Sequence, residues 1–353
     1  MKILITGGAG FIGSNAATRY LMAGHKVVVI DNLCREGTQK NLAALQILGG
    51  QLEFMRLDLR DAVAVNAAFE KHRDVDRILH LAAQVAVTTS VLDPRHDFEV
   101  NALGSLNVLE AIRRFGIEAP VIYSSTNKVY GDMKDVGVVL RDNRYAYADF
   151  PNGMPESRNL DFHSPYGCSK GVADQYFLDY HRIYGLNTMV FRQSCIYGYR
   201  QFGAEDQGWL AWFIIASQLN HPLTIFGDGR QVRDVLFIDD LLDAYDAGFA
   251  AFPSRAGRAY NIGGGAGNVL SLLDLISYIE KMQGRKIFYS VRNWRAGDQR
   301  VFVSDIRRAQ NELGWSPRIE YKTGFARLYD WVASNLHLFE DQPCHLQLAA
   351  VSQ

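Results

Sequence analysis

Tyr166 and Lys170 stand four residues apart in Ser164-Pro165-Tyr166-Gly167-Cys168-Ser169-Lys170. On a helix that spacing puts both side chains on one face, a turn apart. A phenol with an ordinary pKa near 10 is a poor base at neutral pH. An adjacent ammonium favours the phenolate and lowers that pKa toward a useful range. Earlier in the chain, Thr126 ends Ser124-Ser125-Thr126, and its hydroxyl can steady an alcohol while the proton leaves. The chemistry these three suggest is reversible proton removal from an alcohol. Tyr-x-x-x-Lys alone is more often an exposed helical pair, so the surrounding elements decide its weight.

Those elements alternate in type. Lys2 to Thr6 is a short apolar run, followed by Gly7-Gly8-Ala9-Gly10-Phe11-Ile12-Gly13 and a helical pattern that stops near Gly24. Val27 to Ile30 then leads to Asp31. Strand, glycine turn, helix, strand and acid, with the acid about 20 residues on, is the dinucleotide-binding arrangement. Glycines let a pyrophosphate approach the helix N-terminus, where the dipole favours anions. Gly7, Gly10, Phe11, Ile12 and Gly13 are therefore expected at the cofactor, with Asn32 and Arg35 beside Asp31. Asp31 can accept from the adenosine ribose and would repel a 2′-phosphate, which argues for NAD; nearby Arg35 leaves NADP open. Leu52 to Leu57 leads to Asp58 and Leu59, and Arg77 to Leu81 leads to Ala82 and Gln84. Val100 to Phe115, containing Asn101, has helical periodicity, and Pro120 to Ser124 is strand-like. Ligands of a parallel sheet lie beyond the strands' carboxyl ends. Asp58, Leu59, Ala82, Gln84 and Asn101 therefore join the cofactor candidates, together with Tyr166 and Lys170; helix capping is the other reading of Asp58.

The strings Thr6 to Gly13, Asp31-Asn32-Leu33, His80-Leu81-Ala82-Ala83, Ser124-Ser125-Thr126 and Tyr166 to Lys170 resemble the extended short-chain dehydrogenases over residues 1 to about 335. Longer strings resemble the branch of that family that epimerises CDP-paratose at C2. They are Ser124 to Asp132, Pro151-Asn152-Gly153, Asp161 to Tyr166, Arg200-Gln201-Phe202 and Asp206 to Trp209. Family dehydratases carry an Asp-Glu pair where Asn127 and Lys128 stand, and related decarboxylases a glutamate at the second position. An amide and an ammonium cannot take both of the acid–base roles in dehydration. The resemblance thus implies transient oxidation of a nucleotide-linked hexose by NAD, rotation of the keto sugar and hydride return, with Tyr166 as the base. It implies Arg233, Arg295 and Asp298 at the diphosphate and ribose, with Thr126, Asn127, Arg192, Arg200 and Gln207 as further substrate candidates. Arginine forks suit phosphate oxygens. Trp209 and Trp212 are as readily core residues. A UDP-sugar 4-epimerase uses the same trio, and a non-catalytic NAD- or nucleotide-sugar-binding regulatory protein is the reading from another class. Helix pairing in the family implies a homodimer or homotetramer.

The expected fold is α/β, a Rossmann-type doubly wound parallel sheet with a smaller C-terminal α/β substrate lobe. Residues 1–192 are assigned to the sheet, completed by about 235–262. Residues 193–234 and 263–340 are assigned to the lobe, and 341–353 to a tail. With 353 residues and a net charge of -1, no basic field exists to draw nucleic acid or an anionic membrane. No stretch approaches the roughly 20 apolar residues of a membrane helix. Strand-like residues directly after Met1 leave no room for a signal peptide. Cys34, Cys168, Cys195 and Cys344 lack paired metal or redox spacing and read as reduced thiols of a cytoplasmic protein. No metal is expected. His80, inside an apolar strand, reads as a packed core residue, and His163 has no clear reading.

Overall fold

The computed structural model describes residues 1–295 and 298–340. Cys344, the tail 341–353 and Ala296-Gly297 lie outside the described residues. Seven strands form one parallel sheet: β1 (Lys2–Thr6), β2 (Lys26–Asp31), β3 (Leu52–Arg56), β4 (Arg77–His80), β5 (Val121–Thr126), β6 (Thr188–Gln193) and β7 (Arg258–Ile262). Their spatial order is β3-β2-β1-β4-β5-β6-β7. The order reverses between β1 and β4, the crevice in which such sheets bind ligands. This is the doubly wound α/β fold expected.

Near-continuous apolar strands fit a sheet covered on both faces. Alternate residues of one strand enter different cores. Ile3 and Ile5 pack with helix α1 (Phe11–Met22), whereas Leu4 joins Val28, Ile78, Val108 and Phe177 on the other side. A one-residue slip of β1 would exchange these faces, so the register is strongly specified. On the second face Tyr123 and Phe177 stack with centroids 4.6 Å apart, which fixes helix α2 (Ser164–Tyr184) over β5.

The returning segment needs a correction. Of the stretch about 235–262 assigned to the main sheet, Arg258–Ile262 is its seventh strand, but Val232–Phe237 belongs to another sheet. It pairs in parallel with Cys195–Tyr197 and Val301–Phe302, and antiparallel with Val269–Ser271. Its Phe237 ends at helix Ile238–Ala250, which packs back on the main sheet. A strand followed by a helix could return to either sheet, and the sequence pattern does not distinguish them.

His80 closes β4 as a core residue. Its Nδ1 lies 2.7 Å from Thr6 Oγ1 and its Nε2 2.9 Å from Ser105 Oγ. Burial drives its pKa down to about 3, with Lys170 pushing the same way. The unfolded chain, with an ordinary histidine pKa near 6.5, therefore binds a proton that the folded chain refuses between those values. This contribution to stability is complete above about pH 6.5 and is lost toward pH 3, at roughly 1.4 kcal/mol per pH unit. Urea unfolding at pH 7 and pH 5 should show this component in the native chain and lack it in His80→Gln.

Candidate active site

At the end of β1 the chain turns through Gly7, whose φ is +69° and whose N–H donates to Ile30 O at 2.7 Å. A Cβ on Gly7 would lie 2.7 Å from Ala82 N, and one on Gly13 would lie 2.2 Å from the Gly7 carbonyl oxygen. Helix α1 starts at Phe11 directly after Gly10, which has no side chain to cap it. First-turn N–H groups so exposed form an anion site. Asp31 is buried at the end of β2, where its carboxylate accepts from Ala9 N at 3.0 Å and Leu33 N at 2.8 Å. Burial raises its pKa, opposed by backbone donors from Leu33, Ala9 and Gly10. A tight glycine turn, an open helix start and an acid at the next strand end fit a dinucleotide. Asn32 Nδ2 donates to Asp58 at 3.2 Å, and Arg60 grips Asp58 from the other side, holding that carboxyl down at about 2. Asp58 is not a helix cap; Asp61 caps the next helix. Leu59 is buried in the core on one face of the sheet, and Phe11 and Ile12 are half-buried against the core on the other.

Two cofactor candidates face inward instead. Gln84 Nε2 donates to Asp97 Oδ1 at 2.7 Å and Ala86 O at 2.9 Å. Asn101 accepts from Gln84 N at 2.8 Å and donates to Ser169 Oγ at 3.0 Å. Their side chains tie the β4 loop to α2. Asn101 sits in a π-helical turn, Glu99–Leu103, which widens the helix where Asp97 and Ser169 meet. Asp97 and Ser169 carry no spacing signature, and sequence reasoning passed over them.

Thr126 ends β5 and Tyr166 lies in the first turn of α2, so sheet and helix bring the hydroxyl and the phenol together. Burial raises the Tyr166 pKa to about 12, and the hydrogen bond from Thr126 opposes this; Asp97 adds to the rise and Arg35 counters it. The expected ammonium effect of Lys170 is not found in the chain by itself. Lys170 Nζ donates to Ser124 O at 2.6 Å and sits 4.3 Å from the Tyr123 ring centroid. Burial lowers its pKa to about 7, against Asp174 and Asp97. Lys170 is thus held at the strand end, and Arg35 is the cation that lowers the phenol's pKa.

Among the substrate candidates Arg233 donates to Asp298 at 2.9 Å, and Arg295 lies 3.7 Å from the Phe226 ring centroid while donating to Glu205 O. Lys128 is placed near both ends: burial lowers it to about 8, Arg233 pushes the same way, and Asp298, Cys195 and Asp132 oppose. Arg35 donates to Gln207 at 2.7 Å, joining a cofactor candidate to a substrate candidate. Thr126 Oγ1 lies 3.4 Å from Asn127 Oδ1. Arg200 is half-buried at φ +60°, its carbonyl held by Asn41, and burial lowers its pKa. Arg192 is a correction. It is 5% exposed and grips the fully buried Asp174 through Nε at 3.0 Å and an NH2 group at 2.9 Å. A guanidinium so committed is a support beneath the sheet, not a phosphate ligand. Trp212 is core and Trp209 packs against it.

The family model for the NAD dependent epimerase/dehydratase family matches residues 3–263. A CDP-paratose 2-epimerase from Salmonella typhi is 48% identical over 95% of this chain and 100% of its own length. Among solved structures, a Thermotoga maritima UDP-glucose 4-epimerase with UDP-glucose is 30% identical, with TM-score 0.82 over 95% of this chain and 100% of that one. A Thermus thermophilus UDP-glucose 4-epimerase in complex with NAD is also 30% identical, with TM-score 0.79 over 94% and 99%.

Proposed function

Because the chain belongs to the NAD dependent epimerase/dehydratase family, we propose that it inverts C2 of a CDP-linked hexose, with CDP-paratose the first candidate. NAD is its cofactor. The observation that carries the reading is the buried Thr126–Tyr166 pair, set at the carboxyl end of the same parallel sheet as the glycine turn. Identity of 48% along the whole length of a CDP-paratose 2-epimerase supports the choice of carbon and base.

The glycine turn, the α1 N-terminus and Asp31 hold the dinucleotide, whose nicotinamide supplies a reversible two-electron acceptor when bound. Thr126 Oγ1 holds the C2 hydroxyl. Tyr166 Oη takes its proton during oxidation and gives it back after the keto sugar has turned. With a phenol at about 12 in the chain alone, Tyr166 needs positive charge nearby before it acts as a base. Arg35 supplies part of it, and Lys170 adds to it when protonated. Arg233 and Arg295 hold the diphosphate, so the nucleotide stays fixed while the sugar rotates. Asn127 carries no titratable group, so together with Lys128 it cannot form the acid–base pair that water elimination requires.

Turnover of CDP-paratose, CDP-glucose, GDP-glucose and UDP-glucose, with the released sugars identified, tests this reading. Inversion at C2 with CDP-paratose supports it; conversion of UDP-glucose to its C4 epimer alone replaces it with the 4-epimerase reading.

We further propose a homodimer in the cytoplasm. Leu92, Phe98, Leu103, Tyr176, Ile183 and Tyr184 are exposed apolar side chains on helices that pack against one another, and a second copy of this face would cover them. Light scattering should read twice the chain mass. Cys34, Cys168 and Cys195 are free thiols, which suits a reducing compartment. Among the described residues no helix is long and apolar enough to cross a membrane.

A further inference from the structure

Gln299 holds an acceptor that receives nothing. The residue is 5% exposed; its Nε2 donates to the Gly131 carbonyl, and its Oε1 has no hydrogen-bond partner. A carbonyl oxygen can only accept, so the Gly131 contact fixes which end of the carboxamide is which. A buried acceptor without a donor is costly, and in a native fold it calls for a partner.

The place of this oxygen indicates the partner. Gln299 lines a small cavity with Val87, Lys128, Asp132, His163 and Ser164. Lys128 N donates to Thr126 Oγ1 at 3.2 Å, and Ser164 shares the first helical turn with Tyr166, so two wall residues adjoin the reacting pair. Asp298, the residue before Gln299, pairs with Arg233. The cavity therefore adjoins the reacting pair on one side and the Arg233–Asp298 pair on the other. His163 Nε2 lies 3.3 Å from Asp132 Oδ2 on its wall. Ser164 adopts φ +65°, a conformation unusual for a residue with a Cβ and one retained chiefly at functional sites.

We propose that Gln299 Oε1 accepts a hydrogen bond from a hexose hydroxyl other than the one oxidised, and so retains the sugar while its ketone turns. This rests on the proposed epimerase activity. Oxidation removes the C2 hydroxyl's only hydrogen-bond donor, and while the ring turns Thr126 and Tyr166 do not hold the ketone until its other face is presented. Retention then falls on a hydroxyl that is still a donor, and Gln299 offers it a desolvated acceptor.

Calorimetry with CDP and CDP-paratose on the NAD-loaded wild type, Gln299→Leu and Gln299→Glu tests the assignment. Gln299→Leu should bind CDP within about twofold of wild type but lose roughly tenfold in CDP-paratose affinity. Gln299→Glu keeps an acceptor while losing the Gly131 donor, and should retain most of the sugar's contribution. During turnover Gln299→Leu should release keto sugar, detectable by mass spectrometry, and leave its two electrons as reduced nicotinamide absorbance. Equal loss of CDP and CDP-paratose binding in both variants would make Gln299 a structural anchor and overturn the proposal. Wild-type affinities and no released ketone in Gln299→Leu would overturn it as well. A wild type that converts no nucleotide sugar refutes the activity itself, independently of either variant.

Discussion

Tyr166→Phe should lower kcat by roughly 10²- to 10⁴-fold, the usual range for loss of a positioned acid–base group, while NAD binding and folding persist. The ring is buried in the first turn of α2, and phenylalanine preserves its shape. Only the hydroxyl that meets Thr126 is lost. Thr126→Val should cost less, because it removes an orienting hydrogen bond and leaves the base. Single-turnover kinetics with NAD-loaded protein read both effects. A Tyr166→Phe variant as active as wild type would remove the phenol from the mechanism. Lys170 sits differently in this scheme: its amine donates to the Ser124 carbonyl, and burial lowers its pKa.

Asp174→Ala should destabilise the fold by about 3–5 kcal/mol, the cost of leaving one partner of a buried ion pair alone. Arg192, Ser125 and the Asp174 carboxylate form one buried cluster, with Ser125 Oγ donating at 2.7 Å and Tyr130 OH 3.3 Å from Arg192. Removing the carboxylate leaves a guanidinium buried between β6 and α2 without a counter-charge. The double variant Asp174→Ala/Arg192→Met removes both charges and should recover much of the loss, since an apolar replacement of a buried pair is often nearly neutral. Urea unfolding of the three proteins gives the comparison. A single variant within about 1 kcal/mol of wild type would mean that water reaches the cluster and the pair is not truly buried.

Much of this was legible in the residues. The glycine turn, Asp31 and the strand ends Asp58, Ala82 and Thr126 follow from local periodicity and turn chemistry, which act over a few residues. Helix α2 follows from the four-residue spacing of Tyr166 and Lys170. What escaped is tertiary. Arg192 looked like a phosphate ligand because an arginine at a strand end shows no sign of a carboxylate waiting 18 residues earlier on a neighbouring helix. The bonds of Gln84 and Asn101 to each other and to Asp97 and Ser169 escaped because they join segments far apart in sequence. Val232–Phe237 could have paired with either sheet, and only its partners Cys195–Tyr197 and Val269–Ser271 decide. Gln299 carries no motif; its orphaned oxygen becomes visible only when the fold buries it.

The central claim is that one carbon is oxidised and reduced within a closed site, with Tyr166 moving only the hydroxyl proton. Proton NMR of CDP-paratose turned over by the NAD-loaded chain in deuterated buffer tests it most directly. The account predicts a second sugar with inverted configuration at C2 and no deuterium on that carbon, because the hydrogen leaves as hydride and returns without exchange. Deuterium at C2, or inversion confined to another carbon, would contradict it.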